Sequence, residues 1–140
     1  MARFLDSSVF LHAYLRPKRE LTLGEREVKR AASAIVDRVE KGERVITSVV
    51  HLSEILNVVE AKLGLERALQ LLENFLTMGN IEVLGVAREG YEEALLLASR
   101  YAISPNDGLA ISLSRGKATK EIYSFDRHFD KAQDVVRIAR

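Results

Sequence analysis

The sequence predicts an α/β fold, with a mostly parallel five-stranded sheet covered on both faces by helices. Three observations carry this. Short apolar runs alternate with longer stretches of helical apolar period along the whole chain. Two of the short runs, around Phe4-Leu5 and Ile122-Tyr123, run on into an acid, Asp6 and Asp126. The 140 residues, 47% hydrophobic and 29% charged, suit one domain spanning 1–140, and no repeat or low-complexity segment interrupts them.

The elements follow in order. Phe4-Leu5 is the first strand, and Asp6-Ser7-Ser8 turns it directly into a short helix over Val9 to Leu15. Taken alone, Asp6 reads first as an ordinary helix N-cap, and it also fits a ligand-binding strand tip. Arg16-Pro17-Lys18-Arg19 breaks the helix and makes a basic loop. Glu25 to Lys41 carries the stripe Val28, Ala31, Ala32, Ile35, Val36 and Val39, and Gly42 ends it. Arg44 to Ser48 is the second strand, with Ser48 placed to cap the helix Val49 to Leu63.

In that helix Leu52, Ile55, Leu56, Val59 and Leu63 form the core stripe. Glu54 lies off it, between Val50 and Val58 at i−4 and i+4, which suits a carboxylate aimed into a cleft or a surface glutamate. Leu65 to Met78 is helical with apolar residues on more than one face, so it predicts burial on two sides and a subunit contact. Ile81 to Leu84 is the third strand, and Ala87 to Ala102 a helix with Tyr91, Ala94, Leu95, Ala98 and Tyr101 inward.

Ser104-Pro105-Asn106-Asp107-Gly108 is a helix start, with serine at the cap, proline first and an acid third. Taken alone, Asp107 reads as completing a capping box, and only its company with the other acids makes it a site candidate. Gly116 closes this helix. Glu121 to Phe125 is the fourth strand, Arg127 to Asp130 a turn or short helix that Asp126 can cap, and Val135 to Ile138 the fifth strand.

Right-handed crossovers bring parallel strand C-termini to one edge. Asp6 and Asp126 then share that edge, Asp107 opens a helix entering from it, and Glu54 can reach the same rim. Two carboxylates about 4 Å apart repel by roughly 4 kcal/mol at an effective dielectric of 20, so such a cluster needs a proton or a cation. Oxygen donors favour Mg²⁺ or Mn²⁺ over zinc, and such an ion activates water and stabilises charge in phosphodiester cleavage.

Other chemistries lack their residues. The chain has no cysteine, which removes disulfides, thiolate catalysis and Cys-based zinc sites. It has no Gly-rich phosphate loop, HExxH or GxSxG motif, and its three histidines form no ligand spacing; His128, near Asp126, reads first as an exposed or packed histidine and second as a substrate contact. A phosphoacceptor receiver is disfavoured because the third strand ends in Gly85-Val86 rather than an acid. Net charge is only +1, so any grip on nucleic acid must be local, at Arg16, Lys18 and Arg19 or at Arg127 and Lys131. No apolar run is long enough to span a membrane, no signal-peptide hydrophobic region opens the chain, and a cytoplasmic location is the expectation.

Four stretches occur in a telling order: Phe4-Leu5-Asp6-Ser7-Ser8, Ser53-Glu54-Ile55, Pro105-Asn106-Asp107-Gly108-Leu109-Ala110-Ile111 and Tyr123-Ser124-Phe125-Asp126 with Phe129. This ordered set resembles the PIN-domain nucleases, particularly the VapC-like toxins of type II toxin–antitoxin pairs. The resemblance implies a PIN-like three-layer sandwich and a Mg²⁺- or Mn²⁺-dependent endoribonuclease. It implies that Asp6, Glu54, Asp107 and Asp126 are the catalytic, metal-binding acids, with Ser8 and Ser124 as polar neighbours. The last acid is the least uniform in such proteins, and Asp130 is a nearby substitute for Asp126. The resemblance also implies an RNA substrate, an antitoxin partner and a homodimer. The competing reading is a catalytically inactive protein-binding module on the same fold, its acids serving as caps.

Overall fold

Five strands, β1 (Arg3–Leu5), β2 (Val45–Ser48), β3 (Ile81–Leu84), β4 (Glu121–Tyr123) and β5 (Val136–Ile138), form one sheet in the order β3-β2-β1-β4-β5. Every pairing is parallel, in a computed structural model that describes residues 2–140. The helices are α1 (Ser7–Tyr14), α2 (Leu23–Glu40), α3 (Val49–Leu63), α4 (Leu65–Thr77), α5 (Arg88–Tyr101) and α6 (Pro105–Gly116), with a 3₁₀ turn at Arg127–Lys131.

The strand order fixes where a site can form. The chain runs outward from β1 through β2 to β3, then crosses back to lay β4 on the other side of β1. The C-terminal ends of β1 and β4 therefore border the crevice where the winding reverses, the usual ligand position in open parallel sheets. Register confirms that the two ends are level, with Phe4 opposite Ile122 and Leu5 opposite Tyr123. Asp6 N–H continues the ladder by donating to Tyr123 O at 3.0 Å.

Side chains alternate across β1, so its two apolar residues serve different cores. Leu5 joins Val9, Ile35, Leu52, Ile55 and Phe75 beneath the α1–α4 layer. Phe4 joins Ile46, Leu97, Ile111, Ile122 and Phe129 beneath α5 and α6. Both faces are covered, which is the predicted three-layer arrangement. Among the described residues, no helix is long and apolar enough to cross a membrane.

Three packing expectations need correction. In α5 the inward residues are Ala94, Leu97 and Ala98, while Leu95 is 62% exposed and Tyr91 40%. The cause lies in the neighbouring helix. A Cβ on Gly108 would stand 2.5 Å from Ala94 O and 3.2 Å from Ala98 N, so α6 approaches the backbone of α5 along its small-residue face. That approach sets the rotation of α5 and turns Leu95 outward. Leu63, assigned to the α3 core stripe, is 41% exposed because α3 ends there, at Gly64. Gly64 adopts φ +98°, a backbone open to glycine and rarely to other residues, and allows α4 to begin at once. In α4, expected to be buried on two sides, the chain itself buries Ala68 and Phe75, packs Leu71, Leu72 and Met78 partly against the core, and leaves the apolar Leu65, Leu69 and Leu76 exposed.

Candidate functional site

Asp6 sits at the N-cap position of α1, yet its side chain makes no capping bond. Instead Oδ2 accepts from Ser8 Oγ and from Ser124 Oγ, each at 2.7 Å. Ser8 Oγ in turn accepts from Phe125 N–H at 3.0 Å, and Ser124 Oγ from Asp126 N–H at 2.9 Å. Both hydroxyl protons are thus spent on Asp6, and the 3.2 Å approach of Ser8 Oγ to Ser124 Oγ is a contact between two donors to one oxygen. The carboxylate is buried, and among the described residues nothing donates to its Oδ1.

Asp107 reaches the same place from α6. Ser104 caps that helix by accepting from Asp107 N–H at 3.1 Å, and Pro105 opens its first turn. The Asp107 carboxylate makes no return bond to Ser104 N–H, so the capping box is half built and the carboxylate is left for other work. Burial, followed by the negative charges of Asp6 and Asp126, pushes its pKa from the usual 3.8 up to about 6, against the pull of the Ser104 hydroxyl and His128.

Asp126 and His128 stand with Asp107, and Asp6 lies outside the group these three form. One ligand atom from each of Asp107, Asp126 and His128 lies within 4.8 Å of the others. Asp126 Oδ1 also caps the 3₁₀ turn by accepting from His128 N–H at 2.9 Å, and the His128 ring Nδ1 stands 2.8 Å from the same oxygen. Asp130, the substitute for Asp126, is turned away into a two-pronged pair with Arg137 at 3.0 and 3.2 Å. Arg137 holds the Asp130 carboxyl below its usual range.

Glu54 is half-buried on α3 and accepts from Asn106 Nδ2 at 3.3 Å, immediately before Asp107 in the chain. It stands outside the Asp107–Asp126–His128 group. His51, one turn earlier on α3, is buried between the acids and the core. Burial depresses its pKa, opposed by the charges of Asp6 and Glu54. Sequence reasoning gave His51 no role and His128 only a substrate contact. The available signals were the spacing of His51 three residues from both Ser48 and Glu54, and of His128 two residues from Asp126.

The chain matches the PIN domain family over residues 3–135. It belongs to that family. Solved structures of similar fold agree. VapC20 of Mycobacterium tuberculosis, described as a sarcin–ricin loop cleaving toxin, superposes with a TM-score of 0.75 at 20% identity, covering 99% of this chain and 100% of that one. VapBC2 of Rickettsia felis, bound to a DNA fragment of its promoter, gives 0.66 at 14% identity, covering 99% and 98%. FitAcB of Neisseria gonorrhoeae gives 0.59 at 19% identity, covering 96% and 95%. At these identities the likeness is one of fold. No curated protein matches the chain significantly.

The basic candidates of this PIN domain divide. Arg16, Lys18 and Arg127 are exposed, and their side chains make no hydrogen bond among the described residues. Arg19 is committed to Glu25 at 2.7 and 2.9 Å, and Glu25 also forms the capping box of α2 with Thr22. Lys131 donates to Ala102 O at 3.3 Å. A groove of about 500 Å³ runs between α3 and α4, walled by Leu52, Leu56, Leu65, Leu69, Leu72 and Leu76.

Proposed function

We propose that this PIN domain is a divalent-metal-dependent endoribonuclease that acts as the toxin of a toxin–antitoxin pair. The observation that carries the reading is the gathering of Asp107, Asp126 and His128 within ligand distance of one another, with Asp6 at the switch point of the sheet near enough for its charge, after burial and together with that of Asp126, to raise the pKa of Asp107. Such a set, with Asp6 and Asp107 buried and Asp126 half-buried, is costly without a cation and well suited to one. Asp6 offers its open Oδ1, Asp107 a carboxylate unspent on capping, and Asp126 the oxygen not tied to the 3₁₀ turn. Glu54, held by Asn106, completes the acid set beside them. Ser8 and Ser124 orient Asp6 by occupying Oδ2. Oxygen donors favour Mg²⁺ or Mn²⁺, which when bound would activate water and stabilise charge on a phosphodiester.

RNA as substrate draws support from the fold shared with a loop-cleaving toxin and from exposed Arg16, Lys18 and Arg127. The low net charge suits a single-stranded or looped RNA better than a long duplex. An antitoxin draws support from a similar structure described as a toxin–antitoxin complex from Klebsiella pneumoniae. The leucine-walled groove offers it an apolar seat, and a second copy of the chain is the other occupant to be tested.

The test is cleavage of stem-loop and unstructured RNA with Mg²⁺ or Mn²⁺ against EDTA, for wild type and Asp107→Asn. Metal-dependent cuts absent from the variant support the reading. No cleavage by folded wild type with either ion would favour the inactive binding module instead.

A further inference from the structure

We infer that His51 is a positioning residue which, by holding Asn106, fixes the stance of two candidate metal-site acids at once, Glu54 and Asp107. The inference rests on the metal reading above and deepens it. His51 lies on the first turn of α3 and is 1% exposed. Its Nε2 stands 3.2 Å from Asn106 O, and its Nδ1 stands 2.6 Å from Ser48 Oγ. The ring also meets Phe4 of β1 edge-on, with centroids 5.0 Å apart.

The chemistry of these partners assigns the protons. A backbone carbonyl only accepts, so Nε2 carries the hydrogen. Nδ1 is then the acceptor, and the Ser48 hydroxyl donates to it. Ser48 Oγ still accepts from His51 N–H at 3.1 Å, which caps α3. Every polar atom of the pair is used by a neutral ring, and no buried side-chain polar atom lacks a partner among the described residues. A leucine would fill the same space but leave the Ser48 hydroxyl and the Asn106 carbonyl with unmet bonds.

Asn106 is where the strut ends and the site begins. Its carbonyl is held by His51, its Oδ1 accepts from Tyr91 Oη at 2.9 Å, and its Nδ2 donates to Glu54 Oε2 at 3.3 Å. The Glu54 bond fixes which way the amide faces, because a carboxylate only accepts and so must meet the nitrogen; Tyr91 Oη then donates to the Oδ1 left on the other side. The next residue is Asp107, whose N–H is bound to Ser104. A shift of Asn106 therefore moves a side-chain contact of Glu54 and the backbone of Asp107 together. The Ser48–His51–Asn106 chain connects the β2–α3 turn to the start of α6, two segments far apart in sequence, and makes their acids one unit.

The experiment measures Mn²⁺ binding by titration calorimetry, beside thermal melts, for wild type, His51→Leu, His51→Gln and Tyr91→Phe. Supports of metal ligands typically cost about 10- to 100-fold in affinity when removed, and His51→Leu should lose that much while still melting cooperatively. His51→Gln, which keeps an N–H donor close to the Nε2 position, should recover most of the affinity. Tyr91→Phe, at an exposed residue, should weaken Mn²⁺ binding in the same direction without loss of stability. Long-range ¹H–¹⁵N spectra of wild type should show His51 protonated at Nε2 and bare at Nδ1 near neutral pH. Folded His51→Leu with wild-type Mn²⁺ affinity would overturn the inference, as would a ring protonated at Nδ1. If His51→Leu does not fold, unchanged affinity in Tyr91→Phe overturns it and a loss there supports it. A wild type that takes up no Mn²⁺ would instead remove the metal reading itself, and this inference with it.

Discussion

Ser124 Oγ donates to Asp6 Oδ2 at 2.7 Å across the seam between β4 and β1. Those two residues are separated by nearly the whole chain, and the bond closes the site at the point where the sheet winding reverses. Ser8 donates to the same oxygen, so both hydroxyls fix the carboxylate from one side and leave Oδ1 facing outward from that network. A helix cap would have spent the carboxylate on backbone N–H groups of α1, and it does not.

Asp107→Asn should stabilise the metal-free protein at neutral pH. The folded Asp107 titrates near 6 against its usual 3.8, so between about pH 4 and 6 the folded state holds more protons than the unfolded state. Stability from this group therefore falls as pH rises through that window, and the penalty is complete above about pH 6. In EDTA the variant should melt higher than wild type at pH 7.5, with the gap narrowing toward pH 4. Saturating Mn²⁺ at pH 7.5 should reverse the order. A gap independent of pH would contradict the raised pKa that burial and the neighbouring charges give Asp107.

Gly108→Ala should destabilise the protein by about 1–3 kcal/mol, the usual cost of overpacking. The added Cβ meets Ala94 O at 2.5 Å, a backbone atom that no rotamer change can move. Denaturant midpoints measure the loss, and Ala94→Gly should not restore it because the clash is not with a side chain. An unchanged midpoint would show that α5 and α6 separate easily.

Replacing Arg16 and Lys18 with glutamine should weaken RNA binding and flatten its salt dependence. On a single strand, each phosphate left without its cation makes the slope of log K against log salt shallower by about 0.7. Arg19→Gln should act differently, by releasing Glu25 at the start of α2, since that guanidinium is already paired. An unchanged slope in the double variant would place the RNA elsewhere.

Leu69→Glu with Leu76→Glu should abolish partner or self-association and leave the melt cooperative. Both leucines are exposed, at 56% and 63%, on the groove between α3 and α4. Charges at Leu71 or Met78 should unfold the protein instead, because these pack on the core. Sedimentation of the chain alone and with a candidate antitoxin reads the result. Unchanged mass and binding would contradict the assignment of this groove.

The strand–acid junctions at Asp6 and Asp126 and the helix start before Asp107 were legible because local rules mark them: an apolar run reaching a carboxylate, and a serine–proline cap. Glu54 was legible only as an acid off the core stripe. The strut through His51 and Asn106 was not, since its bonds join residues 55 apart and a histidine on a buried helix face looks like any core residue. The rotation of α5 was hidden for a related reason. Leu95, Leu96 and Leu97 are equally apolar, and only the approach of Gly108 to Ala94 decides which of them faces the core.

The most direct measurement compares wild type and Asp6→Asn in thermal melts with EDTA and with Mn²⁺, beside an RNA cleavage assay. Asparagine keeps an oxygen for the Ser8 and Ser124 hydroxyls, so the metal-free variant should be as stable as wild type or slightly more so. At ten times its dissociation constant Mn²⁺ should stabilise wild type by about 1.4 kcal/mol through binding to the folded state. Asp6→Asn should show little of that gain and no cleavage. Equal Mn²⁺ shifts and equal cleavage in the two proteins would remove Asp6 from the site and contradict the metal-dependent nuclease.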